Sequence, residues 1–169
     1  CKGTCVDVLS ETLGPVDGPA LCSKGRCFDE ILLSNLEQRI AAGDGDVLLV
    51  LHMLGNHGPT YFERYPPQYR HWLPECTSTE LARCDRQAIV NAYDNAILYA
   101  DAVLGQLIDR LAALPDRDAA MLYLSDHGES LGEYGMYLHG APEAIAPREQ
   151  LHVPMTLWMS EGFVRSDRL

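Results

Sequence analysis

Apolar positions along this chain switch between a helical and a strand period. From Phe28 to Ala42, Leu32, Leu36 and Ile40 recur at four-residue spacing behind Asp29 and Glu30, which predicts an amphipathic helix stopped by Gly43. After the turn Gly43-Asp44-Gly45-Asp46, the unbroken run Val47-Leu48-Leu49-Val50-Leu51 predicts a strand buried on both faces. Gly55-Asn56-His57-Gly58-Pro59 ends it. The stretch from Thr60 to Thr79 reads as a long loop, because Pro66-Pro67 block a helix while Trp72 and several tyrosines are available to line a surface.

From Glu80 to Leu114, Ile89, Tyr93, Ile97, Ala100, Leu104, Leu107 or Ile108, and Leu111 recur every three or four residues, predicting one long amphipathic helix ended by Pro115. Ala119 to Leu124 and Val153 to Met159 then predict two more buried strands. Strands separated by helices and long crossovers imply an α/β fold with parallel pairing and right-handed connections. Residues 1–27, rich in Gly, Pro, Ser and Cys, read as a disulfide-pinned loop. No repeat, heptad or low-complexity tract interrupts this reading of one domain.

Composition bounds the partners. A chain of 169 residues, 47% hydrophobic and 22% charged, can bury a core, and its net charge of −11 opposes a nucleic-acid or anionic-membrane surface. An anionic substrate must be held by local charge. The longest apolar run, Val47 to Leu54, contains His52 and falls short of the ~20 residues that span a bilayer. The opening Cys1-Lys2-Gly3-Thr4-Cys5 carries no initiator Met, basic segment or apolar leader, so the chain is expected to be a fragment.

Six cysteines fall in three close pairs, Cys1 with Cys5, Cys22 with Cys27, and Cys76 with Cys84. Short loops without zinc-finger histidine spacing favour disulfides and an oxidising compartment over free thiols or a Cys-rich metal site. Nearest-neighbour pairing is one of many connectivities, and Cys1 could also join a cysteine elsewhere.

Candidate chemistry gathers after the predicted strands, where open parallel sheets bind ligands. Ser125-Asp126-His127-Gly128-Glu129-Ser130 follows the apolar run Met121 to Leu124. Adjacent strand residues point to opposite faces, so Asp126 and His127 can share an ion only if the backbone turns, which Gly128 permits. Carboxylate and imidazole both suit zinc, though a catalytic site usually takes three protein ligands. On the same edge lie His57, after the first strand, and His139 in Leu138-His139-Gly140. Either could hydrogen-bond a phosphate oxygen or move its proton, or could be an exposed loop histidine. His52 reads as a core residue and His71 and His152 as surface or strand-start positions; Glu129 and Glu133 could tune the site through hydrogen bonds to its ligands, with solvated glutamates as the default.

Several segments together resemble the phosphoethanolamine transferases of Gram-negative bacteria, including the lipid A transferases and mobile colistin-resistance enzymes of the alkaline-phosphatase and sulfatase superfamily. They are CKGTC (1–5), CFDEILL (27–33), HMLGNHGPTYFERYP (52–66), YDNAILYADAVLG (93–105), SDHGESLGEYGMYLHGAP (125–142) and HVPMTLW (152–158). The resemblance implies a largely parallel sheet flanked by helices, present as part of a periplasmic catalytic domain tethered to the inner membrane by an N-terminal membrane domain. It also implies a monomeric zinc enzyme whose threonine takes phosphoethanolamine from phosphatidylethanolamine and passes it to lipid A, supporting polymyxin resistance. Asp126 and His127 then look like zinc ligands, His57 and His139 like contacts to phosphoethanolamine, and the cysteine pairs like periplasmic disulfides. The nucleophilic threonine and a glutamate ligand belong to motifs that Thr4, Thr60 and the other threonines here do not occupy, so this chain alone is expected to be inactive and to bind zinc weakly. Alternatives are a sulfatase or phosphodiesterase of the same superfamily, and a non-catalytic periplasmic binding module built around Trp72.

Overall fold

A computed structural model describes residues 9–23 and 25–166, so Cys1 and Cys5 lie outside the described residues. The chain divides into two units, Cys1–Gly55 and Asn56–Leu169. In the first, the hairpin of β1 (Cys22–Ser23) and β2 (Arg26–Cys27) is closed by the expected Cys22–Cys27 disulfide. The helix expected over 28–42 is broken: a 3-10 turn at Asp29–Leu33 precedes α1 (Leu36–Ala41). Between them Asn35 takes a left-handed conformation, φ 55°, which asparagine tolerates better than most residues. The break shifts the buried face, so Ile31 and Leu33 join Leu36 and Ile40 inside, and Leu32 is only partly buried. Asp29 opens the 3-10 turn, and its side chain also reaches further along the chain. Its carboxylate accepts the N–H groups of Leu54 and Gly55, at 2.8 and 2.7 Å.

Val47 to Leu51 forms no strand among the described residues, and Leu48 and Val50 are 89% and 80% exposed. An apolar run becomes a buried strand only where a neighbour takes its N–H and C=O groups. None of the described residues does so here. His52, expected in the core of that strand, is consequently exposed.

In the second unit the long helix appears as α2 (Arg86–Ala112), capped by Asp85, whose carboxylate accepts the Gln87 N–H. Its buried stripe is Ala88, Ile89, Ala92, Asn95, Ala96, Tyr99, Ala100 and Val103, while Ile97 is 47% exposed. The phase differs from that of the large apolar residues because alanines let this face pack closely. Tyr61, Cys76, Leu81, Ala88, Ile89 and Ala92 form a core cluster beside the helix start, with the expected Cys76–Cys84 disulfide at its edge. Asn95, fully buried, fastens the long loop by accepting from the N–H groups of His71 and Trp72 and donating to the Trp72 carbonyl.

Two of the predicted strands form as β3 (Ala120–Leu124) and, at the far end of the unit, Met155–Met159. They pair antiparallel, Ala120 opposite Met159 and Leu124 opposite Met155, correcting the parallel pairing expected for them. Between them lie the small hairpin of β4 (Ser130–Leu131) and β5 (Tyr137–Leu138), with a 3-10 turn at Glu133–Gly135, and the four-residue helix α3 (Arg148–Leu151). With no full-length crossover helix, the chain returns directly alongside β3 as β6 (Met155–Met159) and runs into α4 (Glu161–Arg165). The α/β composition is as expected.

Glu133, expected to be solvated, closes the β4–β5 hairpin instead. Burial alone would raise its carboxyl pKa, but backbone N–H groups, including that of Leu131, and the Arg86 guanidinium at 2.8 Å together hold it below the usual range. A depressed folded-state pKa contributes stability above the ordinary glutamate value of about 4.3, and that stability is lost as pH falls through the folded value. Thermal melts of wild type and Glu133→Gln should therefore differ most at neutral pH and converge in acid. A gap that stays constant from neutral to acid pH would exclude this linkage.

Candidate metal and substrate site

Three imidazoles converge in the second unit. One nitrogen from each of His57, His127 and His139 lies within 4.8 Å of those of the other two. The rings of His127 and His139 are stacked with centroids 3.7 Å apart, and His57 meets them edge-on at 5.8 and 5.1 Å. Asp126 stands at the rim, its side chain 87% exposed and its Oδ1 3.8 Å from His127 Nε2. Of the four residues singled out in the sequence, the three histidines cluster, while Asp126 lies beside His127 and outside the group.

Each ring has its Nδ1 against an oxygen acceptor. His57 Nδ1 lies 2.7 Å from the Gly58 carbonyl, His127 Nδ1 2.9 Å from the Gly128 carbonyl, and His139 Nδ1 2.7 Å from Glu129 Oε1. A ring nitrogen facing such an acceptor carries the proton and donates it, which leaves Nε2 as the lone-pair nitrogen. Three imidazoles in so small a space, two of them on partly exposed side chains (29% and 31%), suit a cation. Histidine ligands commonly have their other nitrogen tied in this way.

The positions follow from local packing. The His57 carbonyl accepts the Arg64 Nε–H at 2.7 Å, and Gly58 is buried so tightly that a Cβ there would lie 2.4 Å from Leu138 Cδ2 and 2.7 Å from the Tyr61 hydroxyl. Leu138, immediately before His139, has φ 65°, a costly conformation for a bulky residue. Its side chain lies where a Cβ on Gly58 would be. Ser125 Oγ donates to the His127 carbonyl at 2.7 Å.

Gly128 matters for a different reason from the one expected. It is not among the glycines with positive φ, but a Cβ on it would lie 1.9 Å from the Glu149 carbonyl oxygen. Its N–H donates to the Gln150 carbonyl at 3.0 Å, so the turn is clamped directly onto α3. Gln150, buried at 6% exposure, also donates from Nε2 to Ser130 Oγ and accepts the Ala141 N–H at Oε1. One side chain thus ties together the strand after His127 and the loop after His139.

Sequence reasoning missed Tyr61 and Gln150, and offered Glu129 as a hydrogen-bonding partner of the site only behind a solvated default. Glu129 was expected in solvent, yet its side chain is 4% exposed. It accepts the Tyr61 hydroxyl at 2.5 Å as well as the His139 N–H. Burial, then the bond to Glu129, pushes the Tyr61 phenol far above its ordinary range, so it stays a donor at any physiological pH. Tyr93, packed edge-on against Tyr61, is pushed up to about 12, mainly by burial. Tyr61 and Glu129 are 68 positions apart, and no periodic pattern links them.

An α/β fold with a metal-suited imidazole cluster beyond a strand end defines a class, and the chain belongs to the sulfatase family, whose model matches residues 7–168. Within it, the chain is similar to phosphoethanolamine transferases. It is 46% identical over 164 residues to phosphoethanolamine transferase EptA of Escherichia coli K12, covering 96% of this chain and 30% of that protein. The soluble domain of lipooligosaccharide phosphoethanolamine transferase A from Neisseria meningitidis matches with a TM-score of 0.91 at 44% identity, over 97% of this chain and 49% of that one. The periplasmic domain of EptC from Escherichia coli, solved in complex with zinc, matches with a TM-score of 0.65 at 28% identity, over 84% of this chain and 40% of that one. The chain therefore spans less than a third of its curated relative and about half of the solved soluble domain.

The two histidine-glycine turns are expected to differ in tolerance. Gly128→Ala meets a backbone carbonyl and should cost about 1–3 kcal/mol or more in urea unfolding. Gly58→Ala meets side-chain atoms only, of Leu138 and of the packed Tyr61 ring, and should cost less than a clash with backbone. The reverse order would contradict this account of the clamp.

Proposed function

We propose that this chain is part of the periplasmic catalytic domain of a zinc-dependent transferase that moves phosphoethanolamine from phosphatidylethanolamine to lipid A, the modification that supports polymyxin resistance. The observation that carries the reading is the convergence of His57, His127 and His139, Nδ1 anchored in each, in a chain 46% identical to a phosphoethanolamine transferase. The domain would be a partial one, joined elsewhere to a membrane domain facing the periplasm. In support, Leu122, Leu124, Met155 and Leu157 are each 57–71% exposed, an apolar face that the rest of such a domain would cover. No helix among the described residues is long and apolar enough to cross a membrane.

His127, with Asp126 at the rim, would hold the zinc ion. His57 and His139 stand beside it, where Nε2 can accept from the ammonium of phosphoethanolamine or, in a protonated ring, donate to a phosphoryl oxygen. When bound, zinc lowers the pKa of a coordinated hydroxyl and offsets negative charge building on phosphorus. The attacking threonine and a further glutamate ligand would come from outside this chain; the threonine would displace diacylglycerol, carry phosphoethanolamine as a phosphodiester and pass it to a lipid A phosphate, with ping-pong kinetics. The disulfides Cys22–Cys27 and Cys76–Cys84 suit the oxidising periplasm.

Expressed in full length, the wild type should add phosphoethanolamine to lipid A, and Asp126→Ala and His127→Ala should each lose zinc and at least about 100-fold of that activity. His57→Ala and His139→Ala should keep more of the zinc while losing transfer. Mass spectrometry of lipid A with metal analysis of the purified proteins reads both. Full activity and zinc content in His127→Ala, or release of free phosphoethanolamine without a modified acceptor, would overturn the proposal, the latter in favour of a hydrolase.

A further inference from the structure

We infer that Glu129 is a positioning residue that fixes the tautomer and orientation of His139. The inference rests on the reading of His139 as a substrate contact, and deepens it. A carboxylate that is 4% exposed costs several kcal/mol in solvation unless hydrogen bonds replace the lost water. Among the described residues no lysine or arginine forms an ion pair with it. Its two oxygens are used separately: Oε1 accepts from His139 Nδ1 at 2.7 Å and Oε2 from the Tyr61 hydroxyl at 2.5 Å.

The two partners act in sequence. Tyr61, 1% exposed within the core cluster, is held by packing and keeps its proton, so its hydroxyl fixes the Glu129 carboxylate plane from below. The other oxygen can then receive only a donor, and His139 must put its proton on Nδ1. Nε2 is left as the lone-pair nitrogen of a ring that contacts both His57 and His127. His57 and His127 obtain the same tautomer from the carbonyl of the residue that follows each. His139 does not: it precedes Gly140, φ 97°, and its anchor is the carboxylate instead. A side chain has therefore replaced a backbone group at one of three otherwise similar positions, and mutation can remove it.

Substitutions separate positioning from simple filling of space. In Glu129→Gln the amide oxygen can still accept from Nδ1 while its NH2 donates to the Tyr61 oxygen. In Glu129→Ala nothing accepts from Nδ1. Tyr61→Phe removes the lower bond and leaves the carboxylate on His139.

The test is a long-range 1H–15N correlation spectrum of the metal-free full chain, 15N-labelled at histidine and recorded above the imidazole titrations. His139 should carry its proton on Nδ1 in wild type, Glu129→Gln and Tyr61→Phe, and should become a mixture of tautomers in Glu129→Ala. An unprotonated Nδ1 in wild type would overturn the inference whether or not any variant folds. So would an unchanged His139 tautomer in Glu129→Ala with a native backbone amide spectrum. In the full-length transferase, Glu129→Ala should lower kcat about 10–100-fold, with Glu129→Gln recovering most of the loss. Because the tautomer is read without metal or substrate, it stands or falls independently of the transferase reading.

Discussion

The site depends on one repeated hydrogen bond, from the Nδ1 of an imidazole to an oxygen held by the fold. Without it each ring could flip or change tautomer, and three partly exposed histidines would have no reason to aim their remaining nitrogens at one point. With it, each of His57, His127 and His139 has a single nitrogen left, in a cluster where one nitrogen of each ring lies within 4.8 Å of those of the other two.

Two of the three acceptors belong to glycines, and the lack of a side chain there serves a second purpose. At Gly58 it lets Leu138 and Tyr61 press against the backbone, and at Gly128 it lets the Glu149 carbonyl approach. The same residues that anchor the imidazoles thus dock their loops onto the neighbouring structure. Gln150 and Glu129 then join the loops to each other, so that the spacing of the rings does not rest on exposed loop backbone alone. The left-handed Leu138 is the conformational strain that accompanies this packing.

Much of this was legible in sequence. The dipeptides His57-Gly58, His127-Gly128 and His139-Gly140 and the carboxylate Asp126 stood out because chemistry-bearing residues beside glycine leave a local signature. Two disulfides follow the close cysteine pairs. What failed did so for want of non-local information. The run Val47 to Leu51 has strand composition but no partner among the described residues, and β3 pairs antiparallel because no long crossover helix follows it. The helix phase of α2 was misjudged because its alanines, rather than Ile97, face inward. Glu129 looked solvated because the phenol and imidazole that bury it come from distant positions.

On the proposed reading the ion would meet imidazole nitrogen and a rim carboxylate, since every described cysteine in the second unit is already committed to a disulfide. X-ray absorption at the zinc edge on the zinc-loaded full-length protein tests this most directly. The account predicts a first shell of nitrogen and oxygen with the outer-shell scattering of imidazole, reduced when His127 is replaced by alanine. A shell containing sulfur, or one of oxygen alone that His127→Ala leaves unchanged, would contradict it.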